Sequence, residues 1–306
     1  MRILSLDGGG IRGVLEARFL ERLEADLGGK SLYDCFDLVA GTSTGGLIAL
    51  HLAGNKASGA SCAQLYSPEN AQTIMDKSLA DRLLPFETEP KYDGEGKTEV
   101  LDRIFGEKRL NDVEKKVLVT AYDIVERKAV IFKSFGGSDA AYNPELAEVG
   151  DATSAAPTYF PTIRTENNRW LVDGGVAAND PGMCALVAAM NEGVALTDIK
   201  MLSIGTGNPT RKKEDPNKLG KESQGWGGIG WLKNGLIDHL FAGNSSTASY
   251  QCRQLLGDDR YLRVNGDLID VSDDLDEVSR KNIKALRRLA DKWYEQFGAA
   301  ARALCA

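Results

Sequence analysis

The chain has 306 residues, of which 42% are hydrophobic and 26% charged, so it can bury the core of one large α/β domain or of two small ones. Its formal net charge of −7 argues against a broad nucleic-acid-binding surface, which is normally basic, and against lasting electrostatic attachment to anionic membranes. No apolar run approaches the ~20 residues of a membrane-spanning helix, and the five cysteines lack C-x-x-C spacing, which predicts free thiols rather than a disulfide framework or a zinc site.

The chain begins with a short predicted strand, Arg2 to Leu6, followed by the glycine loop Asp7 to Gly13. A helix follows, because apolar residues recur at helical spacing from Val14 to Leu27. The chain turns polar and glycine-rich by residue 7, so no signal-peptide core follows Arg2. We therefore expect a cytoplasmic protein, with visits to a membrane surface as a peripheral protein.

The glycine loop spells G-x-G-x-x-G between a strand and a helix, which is the position of a dinucleotide fingerprint. That fingerprint also needs an acidic residue ~20 positions further on, at the end of the second strand, to hold the ribose. Here the second strand, Phe36 to Ala40, ends in Gly41-Thr42-Ser43, and the nearest acidic residues lie before the strand or at its start. The dinucleotide interpretation is therefore rejected.

The same loop suits an oxyanion hole. Gly8, Gly9 and Gly10 are consecutive, and glycines let backbone N–H groups converge on one point, where they stabilise the negative oxygen of a tetrahedral intermediate. Arg12 either adds positive charge there or pairs with a carboxylate as part of the structure. We favour a catalytic role for this loop over a plain tight turn.

Ser43 lies between a buried strand and an apolar helix. The stretch from Gly41 to Gly45 matches G-x-S-x-G, and this context of strand, sharp turn and helix predicts a nucleophile elbow. Glycine is needed at such a turn, because it adopts positive φ and leaves room for its neighbours. At a helix N-terminus, free N–H groups and the helix dipole favour developing negative charge. A plain turn that caps the helix explains the motif equally well.

Residues 55 to 98 are irregular, with three prolines and a polar stretch, and we interpret them as a candidate cap or lid of short helices and loops over the site. The β-rich runs Val117 to Val125 and Lys128 to Lys133 predict an antiparallel pair. Leu146 to Ala156 has helical character and is stopped by Pro157, since the residue before a proline avoids the helical region.

Asp173 is the best-placed candidate for the base that a serine nucleophile needs. It ends an apolar strand and is followed by Gly174 and Gly175, in the place where catalytic loops of α/β folds cluster. The chain has only two histidines. His51 lies about two turns along the helix after the elbow, and for His239 a packed or surface position is favoured. Asp-Gly-Gly is also a common turn, so the assignment depends on this shortage of histidine.

The rest of the chain continues the alternation of helices and strands. The predictions are a helix from Asn179-Asp180-Pro181 to about Asn191, a strand from Ile199 to Ile204, a helix from Leu232 to Leu256, a strand from Tyr261 to Val264 and a long amphipathic helix from Leu275 to Phe297. With no linker or repeat in sight, we expect residues 1 to 306 to form a single domain.

Residues 208 to 235 are expected to form a flexible loop. Its stretch Gly225 to Leu232 holds two tryptophans, with basic residues at 211 to 213 alongside. Tryptophan prefers the headgroup region of membranes, so this stretch is a candidate membrane contact. Tryptophans that plug the core are the slightly favoured alternative.

Three of these motifs, Asp7 to Gly13, Gly41 to Gly45 and Asp173 to Gly175, occur in the order found in patatin-like phospholipases, which the chain resembles. The stretch Asp151 to Phe160 is similar to a further block of that family, and the resemblance spans at least residues 1 to about 207. It implies an α/β fold, a three-layer α/β/α sandwich with a mainly parallel central sheet.

The resemblance also implies the roles of the site residues. Ser43 is the expected nucleophile and Asp173 its base, with an oxyanion hole from the loop around Gly9 and Gly10 and with Arg12 nearby. The expected activity is release of fatty acid from phospholipid or another acyl lipid, on transient contact with a membrane. No metal, other cofactor or nucleic-acid partner is implied.

Other functions remain open at this point. A soluble esterase, a thioesterase or an acyl transferase would use the same dyad and would also act on short esters. Some bacterial members of the family degrade membranes only after a nucleotide second messenger binds, and the cap or the loop would be the place for such an activator, although no motif shows one. A purely binding protein is disfavoured, because three catalytic motifs would then have no purpose.

Overall fold

The computed structural model describes residues 1–76, 89–137, 142–209 and 216–305. Within these ranges eight strands form one sheet: β1 (Arg2–Leu6), β2 (Leu38–Thr42), β3 (Lys116–Asp123), β4 (Lys128–Lys133), β5 (Ile163–Arg164), β6 (Trp170–Asp173), β7 (Lys200–Ile204) and β8 (Tyr261–Val264). The described α-helices are α1 (Gly13–Ala25), α2 (Leu32–Cys35), α3 (Thr44–Asn55), α4 (Gly59–Gln64), α5 (Pro68–Ile74), α6 (Glu95–Phe105), α7 (Leu146–Thr153), α8 (Gly175–Ala178), α9 (Gly182–Asn191), α10 (Pro216–Ser223), α11 (Gly228–Lys233), α12 (Leu236–Leu256) and α13 (Arg280–Cys305).

The sheet has the order β5-β6-β3-β2-β1-β7-β8, with β4 also paired to β3. The five strands from β3 to β8 in this order run parallel. The antiparallel pairs are β3 with β4, β3 with β6 and β5 with β6. The predicted antiparallel pair is thus confirmed. The sheet consists of five parallel strands, to which β4, β5 and β6 are added through antiparallel pairing at the β3 side.

Side chains alternate between the two faces of the parallel strands, as the twofold period of a strand requires. Leu4, Leu6 and Val39 point into a core formed with α1, α3 and α13. Ile3 and Leu38 point to the opposite face, where they pack with residues of α9 and the end of α12. Helices therefore cover both faces of the sheet, and the predicted three-layer α/β/α architecture is confirmed.

Two predicted elements differ from the structure. In its described part, the loop expected at 208–235 contains the short helices α10 and α11, while residues 211–213 lie outside the described ranges. The last helix begins at Arg280 rather than Leu275 and reaches Cys305. The backbone carbonyl of Leu275 accepts a hydrogen bond from the N–H of Ile11 at 2.8 Å, and this tertiary contact takes Leu275 out of the helix.

The final helix brings the far end of the chain back to its beginning, because α13 packs along α1. The prediction that residues 1 to 306 form one domain stays a prediction. All five cysteines are free thiols, as expected from their spacing. In the described parts of the chain, no helix is both long and apolar enough to cross a membrane.

Candidate active site

The elbow predicted around Ser43 is a sharp turn between β2 and α3. Ser43 has φ 53° and ψ −124°, a conformation that side-chain-bearing residues rarely adopt. A Cβ atom at Gly45 would lie 2.4 Å from the carbonyl oxygen of Leu6, and one at Gly41 would lie 2.2 Å from that of Gly45. Only glycine fits at these two positions, and the strain at Ser43 is of the kind that clusters at functional sites.

Strand register brings Asp173 next to the elbow. Thr42, the last residue of β2, lies opposite Thr120 of β3, and Asp173, the last residue of β6, lies opposite the next residue, Ala121. The other edge of β3 is occupied by β4 across these same positions. Strands β2 and β6 therefore follow one another along a single edge of β3, and their ends meet. This meeting places a serine and an aspartate, 130 positions apart in the chain, at one point.

Asp173 is almost completely buried, with 1% of its surface exposed. Its Oδ1 accepts a hydrogen bond from the N–H of Gly175 at 2.7 Å, while Oδ2 makes no hydrogen bond of standard geometry with any described residue. Burial raises the pKa of Asp173 to about 6, and the Ser43 hydroxyl, the Gly175 N–H and the charge of Lys97 oppose that rise. Asp173 is thus a stronger base than an ordinary aspartate and is still ionised above about pH 6.

Two glycines after the strand let Asp173 take this position. A Cβ atom at Gly174 would lie 2.1 Å from Oγ1 of Thr120, so the chain passes directly against β3. Gly175 donates the hydrogen bond that fixes one carboxylate oxygen, and the other oxygen has no standard hydrogen bond to a described residue.

The glycine loop presents two backbone N–H groups to the cavity around Ser43. Gly9 and Gly10 line this cavity, and within the described residues neither N–H group has a hydrogen-bond acceptor. The N–H of Gly8 donates to the carbonyl of Asn179 at 3.0 Å and is therefore engaged. Gly8, which the sequence grouped with the oxyanion-hole residues, anchors the loop, and Gly9 and Gly10 remain as the candidate donors.

Hydrogen bonds to the loop carbonyls fix the direction of these donors. A trans peptide plane holds its N–H opposite its C=O, so a bond to one carbonyl orients the next N–H. The carbonyl of Gly8 accepts from Thr206 Oγ1 at 2.7 Å and from Asn179 Nδ2 at 3.3 Å, and its peptide partner is the N–H of Gly9. Thr206 and Asn179 hold the loop in place, and the sequence did not reveal them, because neither carries a motif of its own.

Arg12 orients the following peptide in the same way. Its Nε donates to the carbonyl of Gly9 at 3.3 Å, and the peptide partner of that carbonyl is the N–H of Gly10. The guanidinium is buried, which lowers its pKa, and the charges of Asp238 and Asp273 oppose that change. Arg12 thus has a role beyond the two considered from the sequence, because its side chain holds the glycine loop in position.

The block from Asp151 to Phe160 supports the elbow. Oγ1 of Thr153 accepts the N–H of Ser43 at 2.9 Å and donates to the carbonyl of Thr120 at 2.6 Å. Lys97 of α6 is 2% exposed, lies 2.9 Å from Asp151 and stands 4.4 Å from the ring centre of Phe160. The sequence marked this block only by its resemblance, and Lys97 carried no signal at all.

Neither histidine is among the described residues that line the cavity. His51 is engaged on both ring nitrogens, with Ser61 at 2.8 Å and Asn55 at 2.9 Å, and burial together with Lys108 lowers its pKa to about 4. His239 is exposed on α12 beside the ring of Trp231. The rejection of both as the base agrees with these positions.

The cavity that contains Ser43 and Asp173 has mostly apolar walls. The described part of the candidate cap lines it with residues of α5, of the start of α6 and of the segment between α4 and α5, while residues 77–88 of the predicted cap lie outside the described ranges. The apolar lining from the cap, its flanking helix and the loop before α13 includes Leu65, Ile74, Met75, Val100, Leu101, Ile104, Phe105, Leu275 and Val278. Ser43, Asp173, Gly9 and Gly10 line the same mostly apolar cavity, and this combination suits acyl transfer from a long hydrocarbon chain. Within the described ranges, no group of three or more histidine, cysteine or acidic side chains is arranged to hold a metal ion.

Comparison with known proteins gives concordant matches. The family model described as patatin-like phospholipase matches residues 4–185. Patatin-like protein 1 of Arabidopsis thaliana is 29% identical, with 95% of this chain and 80% of that protein covered. The cGAMP-activated phospholipase of Pseudomonas aeruginosa is 30% identical, with 95% of this chain and 86% of that protein covered. VipD from Legionella pneumophila is similar in structure with a TM-score of 0.49 and 13% identity, over 95% of this chain and 66% of VipD. The family model and the relative of 30% identity show that the chain belongs to the patatin-like phospholipase family.

Proposed function

We propose that this family member hydrolyses phospholipids and releases fatty acids through a dyad of Ser43 and Asp173. One observation supports the proposal most strongly. Ser43, Asp173 and the N–H groups of Gly9 and Gly10 border the same apolar cavity. An acyl chain lying in that cavity would place its ester carbonyl within reach of the nucleophile, the base and the oxyanion donors.

In the first half of the reaction, Asp173 accepts the proton of Ser43 as Oγ attacks the ester carbonyl carbon. The carbonyl oxygen becomes negative in the tetrahedral intermediate and is held by the N–H groups of Gly9 and Gly10. The C–O bond to the glycerol then breaks, and the leaving oxygen takes the proton from Asp173. The products are a lysophospholipid and an acyl-enzyme on Ser43.

The second half repeats the same proton transfers with water. A water molecule gives its proton to Asp173 and attacks the acyl carbon, and the N–H groups of Gly9 and Gly10 again hold the oxyanion. The bond between the acyl carbon and Ser43 Oγ breaks, Ser43 recovers a proton from Asp173, and the fatty acid leaves. The scheme uses only groups of this chain and water.

The decisive experiment measures fatty-acid release from mixed phospholipid vesicles by the wild-type protein, Ser43→Ala and Asp173→Asn. Both variants are expected to lose at least a thousandfold in rate, because the dyad acts as a unit. Release by Ser43→Ala at the wild-type rate would refute the scheme. If the wild-type protein is silent on vesicles but cleaves a soluble short ester, the esterase alternative replaces the lipid substrate.

The activator question has one specific lead. A relative with 30% identity is named a cGAMP-activated phospholipase, so the vesicle assay is run with and without cGAMP. Release only in its presence would make this protein a nucleotide-gated hydrolase with the same dyad. Equal rates in both conditions would leave the ungated hydrolase as the proposed function.

A further inference from the structure

Exposed apolar side chains are concentrated on α11 and the first turns of α12. Ile229 is 72% exposed, Leu232 60%, Leu240 53% and Trp231 38%. These four of the large exposed hydrophobic residues lie within twelve consecutive positions. We call them the α11 ledge. Soluble surfaces normally scatter such residues singly, and clustering on one surface marks an interaction site.

The tryptophans of this segment do not fill the core, so the alternative slightly favoured from the sequence is wrong. No side chain of α11 is buried. Trp226 and Trp231 pack edge to face on each other, with ring centres 5.1 Å apart, and Trp231 contacts His239 of α12 at 6.1 Å. The short helix α11 and its neighbouring glycines do not enclose the indoles, so both tryptophans remain near the surface.

The ledge borders the cavity through α12. Leu240 is exposed, while its neighbour Phe241 is 7% exposed and lines the cavity together with Ser43 and Asp173. The ring of Phe241 fills the space beside Gly175, where an added Cβ atom would lie 2.7 Å from it. The same stretch of helix therefore presents one apolar side chain to solvent and the next to the catalytic cavity.

Charge and composition identify the occupant of this surface. Lys218 and Lys221 on α10 and Lys233 on α11 are exposed and close to the ledge in the chain, and with Glu222 and Asp238 the charged residues from 216 to 240 sum to +1 in a chain of net charge −7. Lysine next to exposed aliphatic side chains and tryptophan is the composition of helices that lie in the membrane interface. Lysine also favours the anionic lipids of a bilayer surface.

The exposed apolar area is sufficient for reversible contact with a bilayer. A fully exposed large side chain offers roughly 200 Å², so the four ledge residues at their observed exposures present roughly 450 Å². A few inserted side chains hold a peripheral protein reversibly on a bilayer.

We propose that the α11 ledge docks the protein on a phospholipid bilayer, with Ile229 and Leu232 below the headgroups and the two tryptophans at headgroup level. A lipid leaving the bilayer would then pass along α12, from Leu240 to Phe241, into the catalytic cavity. The inference rests on the proposed function, because lipid hydrolysis is the reason for docking. Membrane binding itself does not require the reaction.

The test therefore uses the Ser43→Ala protein, which keeps the vesicles intact. Co-sedimentation with vesicles of phosphatidylcholine and phosphatidylglycerol is measured for this parent, for Ile229→Asp/Leu232→Asp on it, and for Val125→Asp on it. Val125 is a matched control, because it is 65% exposed at the turn between β3 and β4. We expect at least a tenfold weaker partition for the double variant and an unchanged partition for the control. Thermal unfolding verifies that each variant is folded.

A second measurement reports on the tryptophans. In a Trp170→Phe background, which removes the other exposed indole, brominated lipids should quench the fluorescence of Trp226 and Trp231. Binding by the double variant equal to that of its parent, or no binding by the parent, would overturn the proposal. A dimer that the double variant converts to monomer would also overturn it. Hydrolysis that persists in Ser43→Ala would refute the proposed dyad but would not affect the docking proposal.

Discussion

The catalytic edge of the sheet and the segment from α10 to the start of α12 are built in opposite ways. At the edge, Ser43 and Asp173 are buried, and hydrogen bonds fix both of them and the glycine loop: the N–H of Ser43 donates to Thr153, that of Asp173 to the carbonyl of Ala155, and that of Gly8 to the carbonyl of Asn179. In α11 every side chain is at least partly exposed. Chemistry at Ser43 needs positions held to a fraction of an ångström, whereas contact with a fluid surface needs only apolar area and tolerates loose packing.

Glycine substitutions in the two regions are expected to differ most in their effect on turnover. A Cβ atom at Gly10 would lie 2.3 Å from the carbonyl oxygen of Leu275, and Gly10 has φ +55°, so Gly10→Ala must displace the loop. We expect a loss of about 100-fold or more in turnover, the usual effect of removing one oxyanion donor. Gly228→Ala on α11 is the matched control, because a Cβ atom there meets nothing within 4 Å.

The two glycine variants are compared by hydrolysis of a soluble ester, which does not require the ledge, and by thermal unfolding. Gly228→Ala is expected within twofold of the wild-type rate. Gly10→Ala with wild-type turnover would mean that the loop does not hold the oxyanion. The close packing of the loop would then not be required for the reaction.

Removing the support of the loop is expected to have a smaller effect. Thr206→Val keeps the shape of the side chain but removes the hydroxyl that donates to the Gly8 carbonyl at 2.7 Å. The N–H of Gly9 then loses part of its orientation, and we expect about a tenfold lower kcat with KM unchanged. A rise in KM at constant kcat would assign Thr206 to substrate binding instead.

The pH dependence of the soluble-ester reaction measures the burial of Asp173. Its pKa is raised to about 6, and only the ionised form accepts a proton, so kcat/KM should rise with pH and level off above about 6. Below that value, we expect about a tenfold fall for each pH unit. A rate that is constant from pH 5 to 8 would exclude Asp173 as the base.

Lys97→Met sharpens this prediction, because the positive charge of Lys97 favours the ionised form of Asp173. The midpoint of the profile should move to higher pH in Lys97→Met and return in Lys97→Arg. A lower rate at every pH with the midpoint unchanged would show that Lys97 acts only by holding α6 to Asp151.

The sequence by itself determined the fold class and the dyad candidates. The order of three glycine motifs carried the resemblance to the family, and the resemblance implied a layered α/β fold with a mainly parallel sheet; both are confirmed. Such motifs are legible because close backbone approach admits only glycine, as at Gly41 and Gly45. The shortage of histidine, with Asp173 at a strand end, pointed to the aspartate that the register of β3 then placed beside the elbow.

Only the tertiary structure decided which donors remain available and which surface is exposed. The N–H of Gly8 donates to Asn179, which lies 171 positions further along the chain. Its carbonyl accepts from Thr206, which lies 198 positions further along. No local pattern encodes such contacts, because they depend on which strands become neighbours. The same holds for Trp231, since an apolar residue in a glycine-rich stretch becomes core or surface only through what packs against it.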